Sequence, residues 1–107
     1  MISKDRMEHS LRYLAETDEK FAYHKSHVAR TEHKAKAIKQ AMFLRHSGTV
    51  AERQALAEDS EEYKGALDNY FEALREFEHM KNKRQTECIV IDVWRSLNSA
   101  RNKGQVV

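Results

Sequence analysis

The sequence has no proline and only three glycines in 107 residues. Proline removes a backbone donor and clashes with the preceding helical turn, so its absence leaves nothing to break a long helix from within. The single cysteine, Cys88, excludes an internal disulfide and fits a reducing compartment. Long apolar runs are also missing. The longest near-apolar stretch, residues 88–94, is far shorter than the roughly 20 residues of a membrane span and contains Asp92. The first residues, Met1-Ile2-Ser3-Lys4-Asp5-Arg6, lack the apolar centre of a signal peptide. The expectation is a soluble, cytoplasmic protein with no membrane partner. There is no Walker loop, no Gly-x-Gly-x-x-Gly, no His-Glu-x-x-His and no Gly-x-Ser-x-Gly. The sequence therefore offers no catalytic residue and calls for no cofactor, and we read it as a non-enzyme. Excess charge of one sign is absent as well: the net charge is +2, too small for a bulk polyelectrolyte argument.

What is present is charge on helix-forming residues. Charged residues make up 34% of the chain and hydrophobic ones 40%, a balance that suits solvated helices around a thin core. The length fits a single domain, residues 1–107. In the first half, apolar residues recur every seven positions: Met7, Leu14, Phe21, Val28, Ala35, Met42. This predicts a helix over about residues 4–46 with one buried stripe. Ser3 or Asp5 can cap it, and Glu8 follows Asp5 by three, as in a capping box. The companion seam is poorer. Three residues on come Ser10, Thr17, His24, Thr31 and Ile38; four on come Leu11, Asp18, Lys25, Glu32 and Lys39. The stripe reads as one edge of a helical hairpin or bundle rather than as a leucine zipper.

Residues 47–49 form the best break, with Gly48 suited to ending a helix and Thr49 followed by Glu52 as a second capping box. A short helix over about 50–58 follows. A last helix runs over about 60–101, its stripe read as Tyr63, Leu67, Tyr70, Leu74, Phe77, Lys81, Arg84, Cys88 and Ile91, and residues 102–107 are expected to fray. Residues 89–94 carry β-branched side chains that favour strand. Flanking helical pattern favours helix, and both readings stay open. As helix, the segment is apolar nearly all round and needs cover from a second chain or from the middle helix.

Charge is organised along the chain. Residues 21–46 carry six cations against one acid, and residues 47–80 carry nine acids against three cations. An antiparallel hairpin turning near Gly48 sets these stretches against each other. Positive charge left over collects near the chain ends at Lys81, Lys83, Arg84, Arg95, Arg101 and Lys103, near Lys4, Arg6 and Arg12, and is the candidate nucleic-acid-binding patch. Other clusters read as structural. Glu76 and His79 form a single Glu-x-x-His pair where a di-iron bundle needs two. His24, His27 and His33 lack further ligands for zinc, and no metal site is assigned. Cys88 reads as a small buried hydrophobe, and Trp94 as core or interface.

Three stretches together, Tyr13-Leu14-Ala15-Glu16-Thr17-Asp18, Gly48-Thr49-Val50-Ala51-Glu52-Arg53 and Val93-Trp94-Arg95-Ser96, resemble small, mostly uncharacterised helical proteins of tailed bacteriophages and prophages. The resemblance implies a phage origin, a bacterial host cytoplasm and a place among genes for DNA replication or recombination. It assigns no functional residue.

The sequence is therefore read as all-α, a long antiparallel helical hairpin with a short middle helix, dimerising or forming a higher homo-oligomer through Val90, Val93, Trp94 and Leu97. The expected function is a phage accessory protein that binds DNA or a DNA-processing partner. The alternative is an inhibitor or adaptor that binds a host protein, such as a defence or repair factor.

Overall fold

The computed structural model describes the backbone of residues 2–106 and the side chains of residues 2–102. Among them the chain forms three α-helices and no strand: α1 (Lys4–Arg45), α2 (Val50–Glu58) and α3 (Glu61–Val106). Residues 88–94 are helical. α3 continues to Val106 through Asn102-Lys103-Gly104, where the sequence suggests an end. A glycine inside a helix costs only about 1 kcal/mol relative to alanine, which does not force a stop. None of the described helices is long and apolar enough to cross a membrane.

The helix ends follow from local chemistry. Ser3 caps α1: its hydroxyl accepts from the Arg6 N–H at 3.1 Å. After Arg45, Gly48 adopts φ +117°, which side-chain-bearing residues rarely reach. Thr49 then caps α2, accepting from the Glu52 N–H at 3.2 Å. Ser60 closes one helix and opens the next. Its hydroxyl donates to the Ala57 carbonyl at 2.7 Å and accepts from the Tyr63 N–H at 3.3 Å.

The chain packs as two compact units, one of residues 22–78 and one of residues 1–21 with 79–107. In the first, α1 and α3 run antiparallel, as His24 beside Glu76 and Lys39 over Tyr63 show. The inward line on α1 is His24, Val28, Thr31, Ala35, Ile38 and Met42. It meets Tyr63, Ala66, Tyr70, Ala73 and Phe77 on α3. Ala35, Ala57, Ala66 and Ala73 are buried, whereas Tyr63, Tyr70 and Phe77 are half-buried. A buried methyl contributes only about 0.8 kcal/mol, so these alanines stabilise little and serve close approach between half-covered rings. α2 is tied to α1 by Arg53, whose guanidinium lies 4.2 Å from the Phe43 ring centre and donates to the Phe43 carbonyl at 3.3 Å. The opposed charge blocks meet here in Lys39–Glu58 at 3.1 Å.

The structure selects one of the two companion lines on α1 and corrects the stripe read on α3. On α1 the companion line lies three residues after the heptad stripe, so Ser10, Thr17, His24 and Thr31 face inward while Leu11 is 49% exposed. Thr17 and Thr31 answer their own hydroxyls by donating to the carbonyls of Tyr13 and His27, at 2.8 and 2.9 Å. On α3 the companion is also three on: Ala66, Ala73, Met80, Glu87 and Trp94. Lys81 and Cys88 are exposed, and the expected burial of Cys88 is overturned. Glu87, one residue earlier, takes the inward place because its charge is met there.

Candidate binding surface of the terminal unit

In the unit of residues 1–21 and 79–107, α1 and α3 again run antiparallel, with Arg6 beside Glu87 and Asp18 beside Arg84. The seam joining them is polar at its centre. Ser10 is fully buried and Glu87 is 6% exposed. Arg6 donates to both Glu87 carboxylate oxygens, at 2.8 and 3.1 Å, and Ser10 Oγ donates to Oε2 at 2.5 Å. A buried carboxylate is costly unless paired and hydrogen-bonded, and here it is both. The Arg6 guanidinium and the Ser10 hydroxyl hold the Glu87 carboxyl down at about 2, against the opposing effect of burial.

A second polar set lies farther along. The Arg84 guanidinium donates to the Leu14 carbonyl at 2.9 Å, Thr17 Oγ1 at 2.6 Å and Asp18 Oδ1 at 2.5 Å, and stacks 4.9 Å from the Phe21 ring centre. Its side chain is only 17% exposed. Arg84, read from the sequence both on the α3 stripe and in the cationic patch, is turned inward as the stripe has it and paired there, because the polar companion line of α1 offers it acceptors. Arg6 is likewise committed to Glu87.

Turning polar residues inward turns apolar ones out. Ile89, Val93 and Leu97 are 55%, 40% and 41% exposed, and recur every four residues along one side of α3. Val90 and Trp94 are half-buried against their own unit. The four residues expected at an oligomer interface thus divide: Val93 and Leu97 face out, whereas Val90 and Trp94 are partly covered. A recess of about 410 Å³ continues this side, lined by Ile2, Ser3, Lys4, Trp94, Leu97, Asn98 and Arg101.

Of the cationic candidates, Lys81, Lys83, Arg95 and Arg101 are exposed. Lys83 Nζ sits 4.9 Å over the Tyr13 ring, and Arg101 lines the recess. The Lys103 side chain lies outside the described residues. The unit keeps ten lysines and arginines against seven acids. Sequence reasoning had Ser10 on one of two companion lines and missed Glu87, because it sought apolar partners for the stripe. The available signal was the three-residue offset repeated in both helices.

Among the described residues, no group of three or more His, Cys, Asp or Glu side chains is placed to hold a metal ion. In the other unit, His24 Nδ1 is buried without a hydrogen-bond partner, 3.9 Å from Glu76 Oε2. His27 stacks on Tyr23 with ring centres 5.6 Å apart. The described surface of the terminal unit presents exposed apolar side chains, Ile89, Val93 and Leu97, and exposed cations, Lys81, Lys83, Arg95 and Arg101. Comparison with known proteins finds no matching family model, no matching curated protein and no matching solved structure.

Proposed function

We propose that this chain is a non-enzymatic accessory protein that acts by binding, with the outer side of α3 in the terminal unit as its working surface. One observation carries the reading. From Arg84 onward α3 commits Arg84 and Glu87 to α1 and leaves Ile89, Val93 and Leu97 outside, while Lys81, Lys83 and Arg95 are exposed elsewhere around the same helix. A helix that keeps apolar side chains in water and salt-bridged ones in its seam is arranged for contact with something else. With the phage-protein resemblance, this favours a DNA-processing protein, or DNA itself, as the target in a bacterial host.

A salt series tests the DNA arm. Duplex binding that weakens steeply with salt, and whose salt slope flattens in Lys81→Ala/Lys83→Ala/Arg95→Ala, supports it. No duplex binding at low salt removes that arm. The apolar strip specifically favours the second reading, an adaptor or inhibitor of a host protein, since phosphate contacts have no use for exposed Ile89 and Val93.

A further inference from the structure

We propose that the α3 surface docks an acidic amphipathic helix of a partner protein, which seats one apolar side chain in the Trp94–Leu97 recess. The proposal rests on reading the chain as a binding protein and names the chemistry of its partner. Ile89, Val93 and Leu97 form a strip with the spacing that a helix offers on one face. Leu97 belongs to both strip and recess, so the two are continuous, and Ile2 and Trp94 give the recess apolar walls.

The rim decides the occupant. Lys83 shares the seven-residue line of Val90 and Leu97, and Arg101 lies four residues past Leu97. Lys4 and Arg101 both line the recess. Lys4 and Arg101 at the recess, with Lys83 farther back on the edge toward Tyr13, outnumber Asp92, the one exposed acid of residues 83–101, and the complementary ligand carries apolar side chains flanked by carboxylates. A second copy fits poorly. Laid antiparallel about Val93, it brings Lys83 within two positions, about 3 Å along the axis, of the second copy's Arg101; laid parallel, it brings each cation against itself. Like charges placed so cost affinity and disfavour the pairing. Duplex DNA satisfies the cations but leaves Ile89, Val93 and Leu97 in water.

The test uses the full chain and a fluorescein-labelled helical peptide with leucines at i, i+4 and i+8 flanked by glutamates. The comparison probes are the same peptide flanked by lysines, and a duplex oligonucleotide. The acidic peptide is expected to bind saturably, and Val93→Ser/Leu97→Ser to weaken it about tenfold or more, as hot-spot residues do. Lys83→Glu/Arg101→Glu is expected to lose the acidic peptide and gain the lysine-flanked one, an exchange that misfolding cannot produce. All four positions are exposed, and circular dichroism checks each variant. Equal binding of both peptides, or binding of neither, overturns the proposal. So does a sedimenting dimer that Val93→Ser/Leu97→Ser returns to monomer, which makes the occupant a second copy. If neither peptide binds while the duplex does, with a steep salt slope, the partner chemistry fails and the binding-protein reading stands. If no probe binds and the chain stays monomeric, both fail.

Discussion

Ser10 and Glu87 meet across the helix seam at 2.5 Å, one fully buried and the other 6% exposed, with Arg6 bridging both. Glu87 holds its charge there because donors surround it, and its carboxyl sits at about 2 against an ordinary 4.5. The folded-state value lies below the unfolded one. The contribution of Glu87 is therefore complete above about pH 4.5 and fades as pH falls toward about 2. Thermal melts across that window are expected to show a falling midpoint. Glu87→Gln is expected to lower stability at neutral pH by about 1–3 kcal/mol, the cost of leaving buried partners unanswered. The gap between variant and parent should close near the bottom of the window. A gap that stays constant with pH would mean the carboxylate is not held as described.

Removing the whole set should act differently from removing one member. Glu87 is buried while the Arg6 side chain is 40% exposed, and an apolar replacement of such a pair is often neutral or stabilising, because no ion is left to desolvate. Arg6→Met/Ser10→Ala/Glu87→Leu is therefore expected to match or exceed the parent in urea melts, whereas Arg6→Met alone is expected to fall below it. If the triple variant is the least stable of the set, the network contributes net stability rather than register.

The all-α class, the break at Gly48 and the caps at Thr49 and Ser3 were legible because each rests on local chemistry: heptad recurrence, absent proline, a positive-φ glycine and a hydroxyl three residues before its donor. The stripe from Met7 to Met42 was legible for the same reason. The seam facing it was not. Its α1 members are Ser10, Thr17, His24 and Thr31, which no hydrophobicity pattern selects. The inward place of Ser10 and Thr17 depends on Glu87 and Arg84 arriving from far along the chain. Reading α3 with Lys81 and Cys88 inward carried the spacing of half-buried Leu67 and Leu74 onward past the point where the seam turns to Glu87. The outer patch changed accordingly, losing Arg84 and Arg6 to the seam and gaining Ile89.

Two glycines should respond in opposite directions to the same substitution. Gly48 holds φ +117°, and an added Cβ would stand 2.5 Å from Glu52 Oε2. Gly48→Ala is expected to cost about 1–3 kcal/mol through backbone strain. Gly65 lies inside α3, and a Cβ there meets nothing within 4 Å. Gly65→Ala is expected to stabilise by about 0.5–1 kcal/mol by limiting the unfolded chain. Urea midpoints of both variants check this, and a loss of stability at Gly65 would show that its surroundings are tighter than described.

Cys88 reports the rotation of α3 directly. Glu87 is buried and Cys88 exposed because successive helix positions are about 100° apart, so one phase sets both. The same phase turns Ile89 and Val93 to solvent. Cys88 in the native chain, diluted until monomeric, is expected to react with a maleimide at nearly the rate seen in denaturant. Cys88→Ser is expected to shift stability by no more than about 0.5 kcal/mol, as exposed substitutions do. Strong protection in the dilute monomer would mean that α3 is rotated toward the phase its apolar stripe suggested. Glu87 would then leave the centre of the seam and Arg6 would lose its partner.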